Sequence, residues 1–331
     1  MAWPGARRAA GLRAWMDEAT RLPGRAARFP ITNLVLFLAT VATTLWAGFT
    51  LSPLPAGAAL SLAAVVRGGL PFSAALIAIL LTHEMGHFVL ARRHRVDTTL
   101  PYFIPLPFGF GTLGAVIRIR SALPTRRATL EIGAAGPIAG FLVALPLLWW
   151  GLAHSEVRAV AATAASAAGS PFELLRAWLA GRPLSAPDTG VLLYGDSLVT
   201  WATQRLVFGP LPEGMDVFVH PVAFAAWIGM FVTTLNLIPV GQLDGGHVLY
   251  ALLGSRWARV GGRVASAALL AAGFFLSWNW LVWWALCRFL LGNRHPPALV
   301  EEPLSPGRRA LAVASLVLLA VTFVPVPITV Q

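Results

Sequence analysis

The feature that most constrains this chain is its series of long apolar stretches, the first of which covers residues 31–51. A helix needs about 20 consecutive apolar residues to cross the hydrocarbon core of a bilayer. Hydrophobic residues make up 57% of the chain and charged residues only 12%, which is about half the charged share of a soluble domain. These values exclude an ordinary soluble enzyme and a disordered chain, and they predict a polytopic membrane protein.

Further apolar stretches predict the remaining membrane helices. They cover residues 70–91, 129–152, 219–238, 264–291 and 310–328. The stretch 264–291 is too long for one comfortable crossing, and Ser277-Trp278-Asn279 in its middle favours a turn that makes it a hairpin. A short apolar helix is predicted near 246–253. The sequence therefore predicts an all-α membrane protein with six or seven transmembrane helices.

Residues 101–120 interrupt this helical pattern. Prolines and glycines break it at positions 101, 105, 107, 109, 111 and 114. The alternation of apolar and basic residues over 115–120 is typical of a strand. This stretch therefore predicts a re-entrant β-hairpin or loop.

The positive charge is distributed unevenly between the apolar stretches. The net charge is +11, and all 25 basic residues counted are arginines. They do not form the single run or face that nucleic-acid binding needs. They concentrate before residue 30, between 92 and 127, and after 255, whereas the 153–215 linker has few. By the positive-inside rule this pattern predicts that the N-terminus is cytoplasmic and that the linker is extracytoplasmic.

These patterns divide the chain into three predicted parts. Residues 1–29 lack the apolar core and cleavage site of a secretory signal. They are predicted to be a cytoplasmic arginine-rich tail, with an organelle transit peptide as the less favoured alternative. Residues 30–255 are predicted to be the membrane core, and residues 256–331 to add C-terminal transmembrane helices. The single cysteine, Cys287, excludes an internal disulfide framework and a cysteine-rich zinc site. The lysine-free composition, rich in alanine, arginine and glycine, favours a bacterial cytoplasmic membrane.

Three ionisable residues, His83, Glu84 and His87, lie inside the otherwise apolar second stretch. Such groups are costly in hydrocarbon and need a partner or a function. Residues at positions i and i+4 share a helix face, so both imidazoles can reach one metal ion. The pattern His-Glu-x-x-His is the zinc metalloprotease motif. In such a protease, Glu84 takes a proton from a water beside the metal and passes it to the leaving amine.

Asp244 is the leading candidate for the third protein ligand that a catalytic zinc usually takes. It follows the fourth apolar stretch and, by the predicted orientation, reaches the same side of the membrane as His87. Its alternative role is an N-cap for the 246–253 helix, because aspartate is favoured there. His247, one turn further, and His220, at the far end of the fourth stretch, are rival ligands.

These motifs resemble the two signatures of the site-2 proteases, a family of intramembrane zinc metalloproteases. The matching residues are His83-Glu84-x-x-His87 and Asn236-x-x-Pro239-x-x-x-Leu243-Asp244-Gly245, within a resemblance that covers about residues 70–255. The resemblance implies His83, His87 and Asp244 as zinc ligands and Glu84 as the general base. It also implies that the substrate is a transmembrane helix of another protein, often cut in regulated intramembrane proteolysis. Gly140 departs from the pattern, since many members have asparagine at that place.

Substrate binding is predicted at two places. Asn236 can hydrogen-bond to the substrate main chain, or it can satisfy the end of a broken helix. The strand-like alternation near 101–120, with Gly111 and Gly114, predicts an edge to which an unwound substrate adds as a strand. No PDZ-like strand pattern appears in 153–215, so gating of substrates by such a module is not expected.

Two other functions are compatible with the same residues. A membrane transporter or proton- or metal-conducting protein would use His83, Glu84 and Asp244 as its path, but the ionisable residues are concentrated at one place and no inverted repeat is visible. An inactive scaffold would keep the fold and bind membrane helices without hydrolysis. The sequence favours the zinc metalloendopeptidase, acting at the lipid bilayer.

Overall fold

The computed structural model describes residues 30–52, 61–159, 170–180, 192–291 and 298–330. The predicted arginine-rich tail, residues 1–29, lies outside the described residues, as do two parts of the 153–215 linker. The helices in chain order are α1 (Ile31–Leu51), α2 (Leu62–Arg93), α3 (Arg126–Ala153), α4 (Pro171–Leu179), α5 (Leu198–Phe208), α6 (Pro221–Leu237), α7 (Asp244–Phe275), α8 (Trp278–Leu286) and α9 (Pro306–Thr322). The described chain is therefore mostly helical, as predicted.

Among the described residues, three helices are long and apolar enough to cross a membrane, namely α1, α2 and α3. Helix α6 is apolar but shorter. The predicted total of six or seven membrane helices is thus not confirmed. Helix α2 begins well before the predicted residue 70, because Ser61 caps its N-terminus and Pro71 lies inside it. Prolines are tolerated inside membrane helices because neighbouring groups satisfy the freed backbone.

Helix α2 lies at the centre of the fold, between α1, α3 and α6. It approaches α1 closely at Gly69, where a Cβ atom would overlap the backbone of Leu45. Beside this contact, the hydroxyls of Thr44 and Ser73 form a buried hydrogen bond of 2.7 Å. Apolar side chains such as Phe72 and Leu76 are fully buried where α2 meets α6. This packing holds the two histidines of α2 in the interior.

The predicted hairpin near 101–120 is present as two antiparallel strands, β1 (Tyr102–Pro105) and β2 (Thr112–Val116). The pairing continues past the strands, because Thr99 N–H donates to the carbonyl of Arg118 and Arg120 N–H donates to the carbonyl of Asp97. Residues 112–120, the return arm, form the second half of the hairpin and lead back towards α3.

Both glycines singled out from the sequence have structural roles in this hairpin. Gly111 has a φ of +81° and packs against the backbone of α1, where the Thr43 hydroxyl donates to its carbonyl at 2.6 Å. Gly114 has a φ of +106° and lies where the strand register shifts, with its N–H donating to the Thr112 hydroxyl. Left-handed backbone of this kind favours glycine. The shape of the hairpin is therefore enough to explain both glycines. Their contact with substrate stays a prediction.

Short strands that the sequence analysis did not identify border the linker. Strand β3 (Glu156–Ala159) pairs with β5 (Met215–Phe218), and β4 (Leu192–Tyr194) pairs with β6 (Ile328–Val330). The indole of Trp227 in α6 donates to the carbonyl of Gly195, next to β4. These contacts attach the linker to α6 and to the C-terminal region.

Helix α7 is interrupted at Gly254, whose φ of +79° is not helical. The part before it, 244–253, corresponds to the predicted short helix and carries Asp244 as its first residue. Arg126 donates two hydrogen bonds, of 3.0 and 2.6 Å, to the carbonyl of Ala251 and so holds the end of this part. The chain reverses between α7 and α8, with Ser277 as the N-cap of α8, which confirms the predicted turn.

Candidate metal centre

His83 and His87 project from one face of α2 into the interior, as their spacing predicts, and are only 3% and 6% exposed. Asp244 approaches them from the start of α7. Its Oδ2 lies 3.4 Å from His83 Nε2 and 3.2 Å from His87 Nε2. The three ligand atoms all lie within 4.8 Å of one another. The structure thus brings together the three predicted ligands from segments far apart in the sequence.

The separations of the Asp244 oxygen from the two histidine nitrogens fit a zinc ion. Zinc–nitrogen and zinc–oxygen bonds are about 2.0–2.2 Å in tetrahedral sites, so neighbouring ligand atoms are about 3.3–3.5 Å apart. The two distances from Asp244 agree with that separation within about 0.2 Å. Two imidazoles and a carboxylate are also among the ligands that zinc accepts, and three protein ligands leave a fourth position for water.

A hydrogen bond on the far side of the His87 ring fixes its tautomer. Nδ1 lies 2.7 Å from the carbonyl oxygen of Ile132 in α3. A carbonyl only accepts, so Nδ1 carries the hydrogen and Nε2 keeps its lone pair for a metal. Helix α3 therefore supplies the outer support of one ligand.

Three glycines of α3 make room for the site. A Cβ atom at Gly136 would overlap the ring of His87, one at Gly140 would lie 3.2 Å from the ring of His83, and one at Gly133 would lie 2.7 Å from the Cβ of His247. Small residues let membrane helices approach closely. Here each glycine faces a histidine that lines the cavity of the candidate site.

Glu84 lies beside the three ligands and is 6% exposed. Its carboxylate lies next to the backbone of Ile117 in the return arm. Glu84, the three ligands and the return arm from 115 to 119 line one cavity of about 930 Å³. A candidate base, a candidate metal site and an extended backbone segment therefore share one space.

The other residues singled out from the sequence lie at different distances from this centre. The Asn236 amide nitrogen lies 3.4 Å from His83 Nε2, and His247 lines the cavity but does not belong to the three-ligand group. His220 caps α6, where its Nδ1 accepts from Val222 N–H, so it is not brought to the centre. Gly111 and Gly114 do not line this cavity.

An ionic cluster next to the centre was not predicted from the sequence. Glu131 accepts hydrogen bonds from Arg127 and Arg308, each at 2.9 Å, and lies 2.7 Å from His94 Nε2. It directly precedes Ile132, whose carbonyl supports His87. The available signal was an acidic residue inside an apolar stretch, which needs a partner there.

Comparison with known proteins agrees with these observations. The family model described as peptidase family M50 matches residues 71–279. Among the similar proteins are the probable chloroplastic zinc metalloproteases EGY1 of Oryza sativa subsp. japonica, at 31% identity over 78% of this chain and 41% of that protein, and EGY1 of Arabidopsis thaliana, at 30% identity over 79% and 44%. The probable chloroplastic zinc metalloprotease EGY2 of Arabidopsis thaliana is 29% identical over 80% of this chain and 42% of that protein.

The chain spans about two fifths of the length of these relatives. Their names give zinc as the metal, which agrees with the cofactor predicted from the sequence and with the ligand group His83, His87 and Asp244. Their names also place them in chloroplasts, so they lend no support to the predicted bacterial membrane.

Proposed function

Because this chain belongs to peptidase family M50, the site-2 protease family, we propose that it is an intramembrane zinc metalloendopeptidase that hydrolyses peptide bonds in transmembrane segments of other membrane proteins. The observation that carries the proposal is the convergence of His83, His87 and Asp244 beside the buried Glu84. The names of the relatives, which are probable zinc metalloproteases, support the same reaction class.

In this proposal each residue of the centre has a defined task. His83, His87 and Asp244 hold the zinc. When bound, zinc acts as a Lewis acid on water and on the scissile carbonyl. Glu84 accepts the proton that the water loses as its oxygen bonds to the carbonyl carbon, and it delivers a proton to the amine nitrogen when the carbon–nitrogen bond breaks.

The return arm supplies the edge on which we propose that the substrate binds. Arg118 and Arg120 use their backbone groups to pair with residues 97–99. Backbone groups alternate in direction along a strand, so those of Ile117 and Ile119 face the opposite edge, and both residues line the cavity. An unwound substrate that adds to this edge satisfies its peptide groups in a dry setting. Gly111 and Gly114 shape the hairpin that carries the edge.

Asn236 is proposed to act on the opposite side of the cleaved bond. Its amide lies within 3.4 Å of His83 Nε2, so a main-chain group held by Asn236 is held next to the metal ligands. We further propose that the arginine-rich loops face the cytoplasm and the 153–215 linker faces away from it, as the arginine distribution supports. Regulated intramembrane proteolysis is the proposed context.

The decisive experiment compares wild type with Glu84→Gln in proteoliposomes that contain a single-span substrate. We expect wild type to bind one zinc per chain and to cleave, with cleavage abolished by a chelator and restored by zinc. We expect Glu84→Gln to keep its zinc and to cleave about 10²–10⁴-fold more slowly, the usual size of general-base catalysis. Glu156→Gln, the same change at an exposed residue of β3, is the matched control and keeps full activity.

Two outcomes would favour the alternatives. Zinc or proton flux through wild-type proteoliposomes, without cleavage of any substrate, would favour a transporter. Binding of membrane helices without cleavage, unchanged in Glu84→Gln, would favour an inactive scaffold. Either result would contradict the proposed peptidase activity.

A further inference from the structure

The side chains of the return arm alternate between two faces of the hairpin. Val116, Arg118 and Arg120 are exposed, whereas Ile117 and Ile119 are half-buried. Ile119 packs against a cluster of buried apolar residues at the end of α2. The exposed face thus changes along the arm from an apolar side chain to two basic ones.

Neither arginine of this face has an acidic partner within the part of the chain that the structure describes. The ion pairs found there use other arginines: Arg127 and Arg308 bind Glu131, and Arg158 binds Glu156. Arg118 also lines the cavity that contains Glu84. An unpaired charge at the edge of a cavity is available to a carboxylate that enters it.

The position of these arginines relative to the centre follows from the hairpin. The backbone of Ile117 lies next to Glu84, and both residues line the same cavity, so the edge of the return arm that does not pair with residues 97–99 runs past the candidate base. A strand added to that edge places the residues opposite Arg118 and Arg120 on the same face as the two guanidinium groups. Cross-strand neighbours have Cβ atoms about 4.5–5.5 Å apart, within reach of an ion pair.

We propose that Arg118 and Arg120 form a subsite for acidic residues of the substrate, which rests on the proposed function. The substrate class is a transmembrane segment with an acidic flank, in which aspartate or glutamate occupies two alternate positions next to an apolar stretch. The apolar stretch lies opposite Val116, and the acidic residues lie opposite the two arginines. Lipid phosphate is the competing ligand; we favour a peptide because Arg118 lines the cavity itself.

The test uses proteoliposomes of phosphatidylcholine with three single-span substrates that differ only at two alternate flanking positions. These positions carry two Asp, two Asn or two Lys residues. Opposite charges across a strand contribute modestly, so we expect wild type to prefer the Asp substrate over the Lys substrate by about 3- to 30-fold in kcat/KM. The double variant Arg118→Glu, Arg120→Glu should reverse this ratio, and Arg118→Gln, Arg120→Gln should bring it close to one. Zinc content confirms that each variant is folded.

The matched control is Arg93→Glu with Arg95→Glu, which should leave the ratio unchanged; Arg93 is the exposed last residue of α2, and Arg95 is exposed just beyond it. If wild type cleaves all three substrates equally, the proposal of an acidic-residue subsite is wrong, but the proposed peptidase activity is supported. If zinc-loaded wild type cleaves none of them, the proposed function itself fails. If cleavage depends on added anionic lipid equally for all three substrates, and the arginine variants remove that dependence, the arginines bind lipid and the subsite is wrong.

Discussion

In the part of the chain that the structure describes, two pairs of neighbouring histidines lie along α3, one beside its N-terminal half (the metal end) and one at its C-terminal end, and they differ in what surrounds them. At the metal end, the ring centres of His83 and His87 are 5.0 Å apart and Asp244 lies between their Nε2 atoms. At the opposite end, the rings of His154 and His220 are 6.4 Å apart beside Trp150. Within the described residues, only the first pair belongs to a group that could hold a metal.

The hydrogen bonds of the rings explain part of the difference, because His154 Nδ1 donates to the carbonyl of Trp150 at 2.8 Å much as His87 Nδ1 donates to that of Ile132, whereas His220 differs. His87 Nδ1 donates to a carbonyl, which leaves its Nε2 lone pair facing the carboxylate of Asp244. His220 Nδ1 instead accepts a backbone N–H, so its Nε2 carries the hydrogen and cannot bind a metal in that tautomer. His154 stacks on Trp150 at 4.0 Å. Proximity of two imidazoles is therefore insufficient without a carboxylate and correctly directed lone pairs.

The largest expected effect is the loss of zinc when Asp244 is changed to asparagine. Removing a hydrogen-bond partner of a ligand typically costs about 10–100-fold in metal affinity, so removing the charged ligand should cost more. Zinc affinity is measured by competition with a chelator of known affinity. His220→Asn, at the opposite end, should leave that affinity unchanged; equal losses in both variants would remove the distinction between the two ends.

Gly136→Ala should have the next largest effect, because the added Cβ overlaps the His87 ring. We expect zinc affinity to fall by about 10–100-fold, as for other displaced ligand supports. Gly140→Ala should be milder, since its Cβ would lie 3.2 Å from His83. Gly151→Ala is the control at the opposite end: it crowds Ala223 of α6 and should lower the thermal midpoint with zinc affinity intact. Unchanged affinity in Gly136→Ala would contradict the described packing.

Ion pairs at the two ends should also differ in their contribution to stability. Glu131→Gln leaves three basic groups without their carboxylate, and we expect a loss of about 1–3 kcal/mol in the free energy of unfolding. Glu156→Gln breaks an exposed pair with Arg158, which should cost about 0–1 kcal/mol. Denaturant titration of the purified protein in detergent measures both. A larger loss in Glu156→Gln than in Glu131→Gln would contradict this ranking.

The smallest expected effect is that of His154→Ala on catalysis. The change removes a stacked ring pair and should cost about 0.5–1.5 kcal/mol of stability. Zinc content and kcat/KM should equal those of wild type, because the pair lies at the far end of α3. Cleavage assays at equal zinc occupancy test this, and a fall in kcat at unchanged stability would show that the two ends are coupled.

The sequence predicted the parts of the molecule that depend on local pattern. The bounds of α1 were predicted to the residue, because an uninterrupted apolar run defines a membrane helix by itself. The pairing of His83 with His87 follows from helical periodicity, and the hairpin follows from alternation and glycines. The chain reversal near Ser277 was also predicted from local residues, the Ser277-Trp278-Asn279 sequence.

Features that depend on distant contacts could not be predicted in this way. Strands β4 and β6 have three residues each and pair across more than a hundred positions, so neither shows a usable alternation. The pairing of Glu131 with Arg308 and the hydrogen bond from His87 to the carbonyl of Ile132 require the packing of α3 against α2 and α9. The meeting of Asp244 with the two histidines was predicted from membrane orientation and resemblance. The distances between their ligand atoms could be obtained only from the folded structure.

The interruption of α7 at Gly254 has a mechanical consequence for the metal centre. A continuous helix of 32 residues would be a stiff rod of about 48 Å with Asp244 at its tip. A slight tilt of the far end would then swing the carboxylate through several ångströms. Because the helix is broken after ten residues and Arg126 anchors the near part, the far part can tilt without carrying the candidate ion-binding atoms with it.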